Sequence, residues 1–339
     1  MSQEGPRREV FRMRNRLTFT MPLLVCLGLV QGGCGLLGGL FPGLVPGPTP
    51  SPVNPPVPVP TPGPSFPIRE ARDQLGQLLE TAPVRRLFEP GTLVHEGVGI
   101  FSLGEAPLPD LPARWGRSYP RGIQGQAPVI DRMSVEFFQN HADLVTAEAT
   151  FSVERGGTLL ADYPLQRRLV RKPFRDLATR RARFDRGPSG WSLTEVSPFS
   201  LRTVPGGIGV ASFSVVPRGG VAYSGAPDRT APLSAYPRVL AGQTLEVTLQ
   251  LDAGTPAAGC HVFVTFPPLR DRILLAEAGT DGLPGLYMGS FEVPSPLPAS
   301  PQLVLDVMTV KTLTDPESLE CDSLLIGIPV DLVSPGGPR

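Results

Sequence analysis

The residues whose types and spacing could do chemistry are three cysteines and a run of arginines. Cys34 stands in "LVQGGCG", Leu29 to Gly35. Gly32 and Gly33 just before it suit a peptidase that needs small side chains at its cleft. Cys260 and Cys321 are the other two, Cys26 falling in an apolar leader. In an exported chain such a pair reads as a disulfide. A metal site built on Cys260, His261 and Cys321 lacks an evident fourth ligand and matches no zinc spacing. The arginine run lies between Arg155 and Arg186, where ten bases meet three acids. Its densest part holds Arg167, Arg168, Arg171, Lys172, Arg180, Arg181 and Arg183. Three uses fit it: the solvated face of a sheet, docking onto residues 260–339 with their ten acids and four bases, or an external anion.

The elements that position Cys34 come first in the chain. Arg7, Arg8, Arg12, Arg14 and Arg16 precede an uncharged stretch, "LTFTMPLLVCLGLV", Leu17 to Val30. A bilayer-spanning helix needs roughly 20 apolar residues. This run of 14, interrupted by Pro22 and Gly28, has the length of a signal-peptide core. With the small residues before Cys34 it resembles the lipobox of bacterial lipoproteins. In that family a diacylglyceryl group joins the cysteine sulfur and cleavage makes the cysteine the first residue. The position three before the cysteine, usually aliphatic there, is Gln31 here. An ordinary signal peptide or an uncleaved anchor is the competing reading. The resemblance implies a chain held to a membrane through Cys34, in the extracytoplasmic bacterial envelope, with an envelope protein or a surface polymer as partner. "RREVFR", Arg7 to Arg12, also looks like a twin-arginine export signal, and Met13 offers a second start.

Residues 1–33 therefore read as a signal peptide and 34–65 as a spacer. Proline fills twelve of the 26 positions from Pro42 to Pro67. Proline fixes φ and donates no backbone hydrogen bond, so the segment favours polyproline II and could span roughly 80 Å. A ligand for a proline-binding domain is the alternative use. Formal charge over the 339 residues is zero, which gives no sign of a bulk nucleic-acid binder. Arginine outnumbers lysine 29 to 2, a bias of composition rather than of site.

Residues 66–204 read as an α+β domain. Ile68, Ala71, Leu75, Leu78, Leu79 and Ala82 share a helical face, and Pro83 is expected to end that helix. "ADLVTAEATFSVE" alternates, with Val145, Ala147, Ala149, Phe151 and Val153 on one face. Gly156–Gly157 reads as a hairpin turn, with "YPLQRRLVRK" and "ATRRARFDR" as separate strands after it. "GPSG" at 187–190 makes another turn before the strand that holds Trp191. A helix, long strands and a late Trp-containing hairpin resemble the nuclear-transport-factor-two-like cone, whose curved sheet wraps helices around a pocket. A generic α+β domain is the alternative. Asp131, His95 and His141 are the titratable residues to inspect for such a pocket.

Residues 207–333 carry seven or eight short strands separated by turn residues, with 334–339 as a tail. In "QTLEVTLQLD", Leu245, Val247, Leu249 and Leu251 alternate with polar neighbours. Short strands at this spacing suggest an antiparallel β-sandwich. "AGQTLEVTLQLD" and "DGLPGLYMGSFEVP" resemble bacterial immunoglobulin-like or fibronectin-type-III-like modules. That likeness places the loops before Cys260 and before Cys321 at one end, where a bond could clip them. The expected class is therefore mainly β with some α, a cone-like or generic α+β domain followed by a sandwich. No phosphate loop, dinucleotide fingerprint, zinc-protease helix or G-x-S-x-G elbow occurs, so the sequence points to no cofactor and to no metal. The readings left are a non-enzymatic binding or assembly module, and a small-molecule binder or enzyme using a pocket in 66–204.

Overall fold

A computed structural model describes residues 67–89, 101–103, 111–112, 114–120, 128–139, 145–163, 166–255, 259–266, 271–278, 284–295 and 302–333. Cys34, the proline-rich segment, His95 and His141 lie outside them. Two helices open the described part, α1 (Ile68–Leu79) and α2 (Ala82–Leu87). Ala71, Leu75 and Leu79 bury one face of α1, as their spacing predicts. The helix ends at Glu80, and Pro83 sits in the first turn of α2, where a missing N–H costs nothing.

The strands follow in chain order. β1 (Phe101–Leu103), β2 (Arg114–Ser118) and β3 (Met133–Gln139) precede a long pair, β4 (Val145–Tyr163) and β5 (Arg168–Gly187). Next come β6 (Gly190–Val196), β7 (Phe199–Thr203), β8 (Val210–Pro217), β9 (Tyr223–Gly225), β10 (Ala231–Pro232), β11 (Arg238–Leu240) and β12 (Thr244–Leu251). The rest are β13 (Cys260–Thr265), β14 (Asp271–Leu274), β15 (Ala276–Glu277), β16 (Leu286–Glu292), β17 (Gln302–Thr309), β18 (Ser323–Pro329) and β19 (Asp331–Val333). A third helix, α3 (Val310–Thr314), joins β17 to β18. The molecule is mainly β with a few helices.

One twelve-stranded sheet organises it, in the order β10-β6-β5-β7-β18-β17-β13-β14-β1-β2-β4-β3. β4 also pairs with β5 along its whole length, Val145 opposite Arg186 and Tyr163 opposite Arg168. That pairing closes nine of the strands, β5 round to β4, into a barrel. All its ladders are antiparallel except β1 with β14. β3, β6 and β10 extend the upper half of the β4–β5 hairpin beyond the ring. A five-stranded sheet, β15-β16-β12-β8-β9, supplies the apolar faces of a second core, which also takes the outer sides of β13, β17 and β18. The arrangement is a sandwich whose one layer is barrel wall.

Two sequence expectations change here. Gly156 and Gly157 do not turn the chain; both lie inside β4, and the hairpin reverses between Tyr163 and Arg168. A Cβ on Gly157 would stand 2.6 Å from Phe174 Cζ, so glycine there admits an aromatic ring. "YPLQRRLVRK" and "ATRRARFDR" consequently merge into β5, with Pro173 at a point where only β4 is its neighbour. The boundary placed between 204 and 207 is bridged. β7 pairs with β18, Leu201 opposite Leu325, and the described residues belong to one compact unit. The physical cause is visible in β17 and β18, every residue of which is buried. Val304 and Met308 pack into the barrel core, Leu303, Leu305 and Val307 into the sandwich core. A strand buried on both faces belongs to two layers at once.

Candidate functional site

The alternation of β5 decides the fate of the basic cluster. Val170, Lys172, Phe174, Asp176, Ala178, Arg180 and Ala182 are buried, whereas Arg171, Arg175 and Arg181 are exposed. The seven residues therefore do not form one surface. Arg167 and Arg168 sit at the hairpin end, Arg168 paired with Glu317. Arg181 and Arg183 lie on the outer face further along. Lys172 and Arg180 point inward.

Both inward cations have structural partners. Lys172 Nζ donates to the carbonyls of Thr312 and Asp315 at 2.7 and 2.8 Å, capping the end of α3. Burial lowers its pKa. Arg180 donates through Nε to Ser197 O at 2.8 Å and through Nη1 to Leu87 O, and stacks on Phe199. It ties the end of α2 to the sheet. Burial pulls its pKa down to about 10.

The barrel interior holds a second charged group that the basic run does not announce. Arg117 on β2 lies 3.9 Å from Asp176 of β5 and 3.6 Å from Asp306 of β17, and donates to Ser323 Oγ at 2.6 Å. Arg272 on β14 reaches Asp306 at 3.1 Å and lies over the Trp115 ring. Tyr119 donates to Asp176 at 2.5 Å, and Arg155 stacks 4.1 Å above the Tyr119 ring. Asp176 and Asp306 are at most 1% exposed. Burial opposes the charge on Arg117, yet Asp176 and Asp306 outweigh it and hold its pKa above the ordinary value. On Arg272 burial wins against Asp306, and its pKa falls to about 10. Burial likewise raises the Tyr119 pKa. Phe263, Val304, Met308 and Leu325 belong to the buried apolar cluster on the same side of the wall.

The cysteines are not joined. Cys260 is opposite Thr309, whose N–H donates to Asp322 O, so Cys321 stands about two strand spacings, roughly 10 Å, from Cys260. A disulfide needs Cα atoms within about 7 Å. Cys260 packs in the sandwich core and Cys321 against the barrel core. Burial pushes both thiols up to about 11.

Two open clefts stand out among the described residues. One, of about 550 Å³, lies along α1 between Arg72, Glu80 and Asp131; it is where the structure puts Asp131, exposed at its rim. The other, of about 470 Å³, has the outer faces of β3 to β6 as floor and residues 228–230 as wall. A charged row crosses its floor: Glu136 opposite Glu148, Glu148 opposite Arg183, Arg183 opposite Glu195. The Glu136 and Glu148 pairing was legible only once β3 was aligned with β4. Among the described residues no group of three or more His, Cys, Asp or Glu could hold a metal ion, and no helix is long and apolar enough to cross a membrane. Set against protein-family models, curated proteins and solved structures, the chain matches none of them.

Proposed function

We propose that this is a cell-envelope lipoprotein acting as a non-enzymatic binding or assembly module, anchored through Cys34 and held off the membrane by the proline-rich spacer. The observation that carries the binding part is the barrel interior. A pocket for catalysis or for an enclosed ligand would be concave and lined by a few convergent polar groups. Here the convergent polar groups face one another, Arg117 and Arg272 against Asp176 and Asp306, with apolar side chains packed round them. That leaves the outer surfaces for recognition. The anchoring part rests on the leader, the two glycines and Cys34.

The test is the intact mass of the mature full chain recovered from bacterial membranes. The expected mass is that of a chain beginning at Cys34 plus a diacylglyceryl group, and Cys34→Ser should move the protein out of the membrane fraction. An unmodified mass, or one that retains residues 1–33, would overturn the anchor. A second reading, a small-molecule binder using a pocket within 66–204, is favoured by one observation, the charged cleft over β3 to β6.

A further inference from the structure

The cleft over β3 to β6 is lined by Glu136, Glu148, Glu195 and Asp228 against Arg181, Arg183 and Arg229. Glu136 and Glu148 face each other directly across the β3–β4 ladder, which puts their Cβ atoms about 5 Å apart. Like charges so placed destabilise a sheet. Their row holds one base, Arg183, and its Nε is drawn along its own strand to Asp185 at 3.5 Å. Glu195, at the far end of the row, accepts from Thr230 Oγ1 at 2.9 Å. Glu136 and Glu148 have no ion-pair partner among the described residues. Arg181 faces the same cleft from β5, opposite Thr150, and its guanidinium has no carboxylate partner there either. It lies one strand over and one same-face step along from Glu148, roughly 8 Å between Cα atoms. The floor thus offers two adjacent carboxylates at one side and a guanidinium at the other, under a wall that begins at Asp228.

We infer that this cleft binds a short peptide end carrying both a side-chain ammonium and a free carboxylate, the ammonium between Glu136 and Glu148 and the carboxylate on Arg181. Two glutamates whose Cβ atoms lie about 5 Å apart can both reach one ammonium, which has three donors. The planar fork of an arginine suits a carboxylate. A cation alone leaves Arg181 unmatched, and an anion alone leaves the glutamates unmatched. The inference deepens the reading of a binding module and rests on it. It does not depend on the anchor, because the measurement uses purified protein in which lipid attachment plays no part.

The full chain, purified in detergent, is titrated by calorimetry with the tripeptide Ala-Ala-Lys. Three comparison ligands accompany it: the same peptide acetylated on Nζ, the same peptide with its C-terminus amidated, and spermidine. The expected result is saturable binding of Ala-Ala-Lys, weakened about tenfold by acetylation and by a smaller factor on amidation. Glu136→Gln with Glu148→Gln should abolish the preference for the free ammonium. Arg181→Gln should abolish the preference for the free carboxylate and leave the ammonium preference intact. Removal of the opposed carboxylates should also raise the melting temperature of the unliganded protein, which separates lost binding from lost folding. No saturation up to about 10 mM, where each tenfold in affinity is worth about 1.4 kcal/mol, would sink the idea. So would an unchanged ligand order in these variants, or spermidine binding as tightly as the peptide.

Discussion

The two cores that share β17 differ in kind. On the sandwich side Leu303, Leu305 and Val307 share a cluster with Leu245, Val247 and Leu249 of β12, and that cluster holds no charged side chain. On the barrel side the intervening residues are Val304, Asp306 and Met308, and the interior holds Arg117, Arg272 and Asp176 as well. A single strand thus separates an uncharged, mostly apolar layer from an ionic one by the alternation of its side chains. The comparison teaches that burial alone does not predict what a position tolerates. An apolar layer loses area and leaves a cavity when trimmed, whereas an ionic layer loses a partner and leaves a buried charge behind.

Neighbouring positions on β17 give the sharpest way to break that contrast. Asp306→Ala takes a carboxylate from Arg272 and from Arg117, which keeps Asp176, and removing one partner of a buried pair costs about 3–5 kcal/mol. Leu305→Ala should cost about 2–5 kcal/mol by lost area and cavity. Denaturant melts should show that the first loss is partly recovered when Arg272 is replaced by methionine, and that the second is untouched by that change. Equal behaviour of the two positions in the rescued background would erase the distinction drawn here.

A smaller effect comes from the thiols, one on each side of the shared wall. Folding raises both from 9.0 to about 11, so the native state keeps protons that the unfolded chain releases. Their contribution is full below pH 9 and is lost as pH rises through 11, by up to about 2–3 kcal/mol per thiol at one pKa unit per 1.36 kcal/mol. Melts from pH 8 to 10.5 should show Cys260→Ala and Cys321→Ala each flattening the alkaline decline. The smallest expected loss is that of Gly157→Ala, about 1–3 kcal/mol, because the added methyl meets Phe174 and Ser118 O in the barrel. Phe174→Leu in the same chain should lessen it.

The five-stranded layer of the sandwich was legible in the sequence where, as in β12, a strand has one buried face. Leu245, Val247, Leu249 and Leu251 alternate with Glu246 and Gln250, and the structure buries the apolar four. The inward face of β4 from Val145 to Phe151 was legible for the same reason. The barrel was not, because its inward positions break the hydrophobic code. Asp176, Arg180, Lys172, Asp306 and Arg117 have the types of surface residues, and their partners lie up to 206 residues away, as Ser323 does from Arg117. The Gly156–Gly157 pair has the composition of a turn, and only the ring of Phe174 explains it. The Glu136–Glu148 pair of the candidate cleft depends on register, which periodicity does not supply.

The joint between β7 and β18 bears on the order in which the molecule can form. The β4–β5 hairpin is local, and its ladder can zip as soon as both strands exist. Closing the ring, however, requires Leu201 to meet Leu325 and Arg202 to meet Leu324, more than 120 residues downstream. Pairings of such sequence separation carry a loop-closure cost that local ones do not, and they slow folding. A growing chain therefore carries Asp176 and Arg117 in an open sheet until β18 has been made.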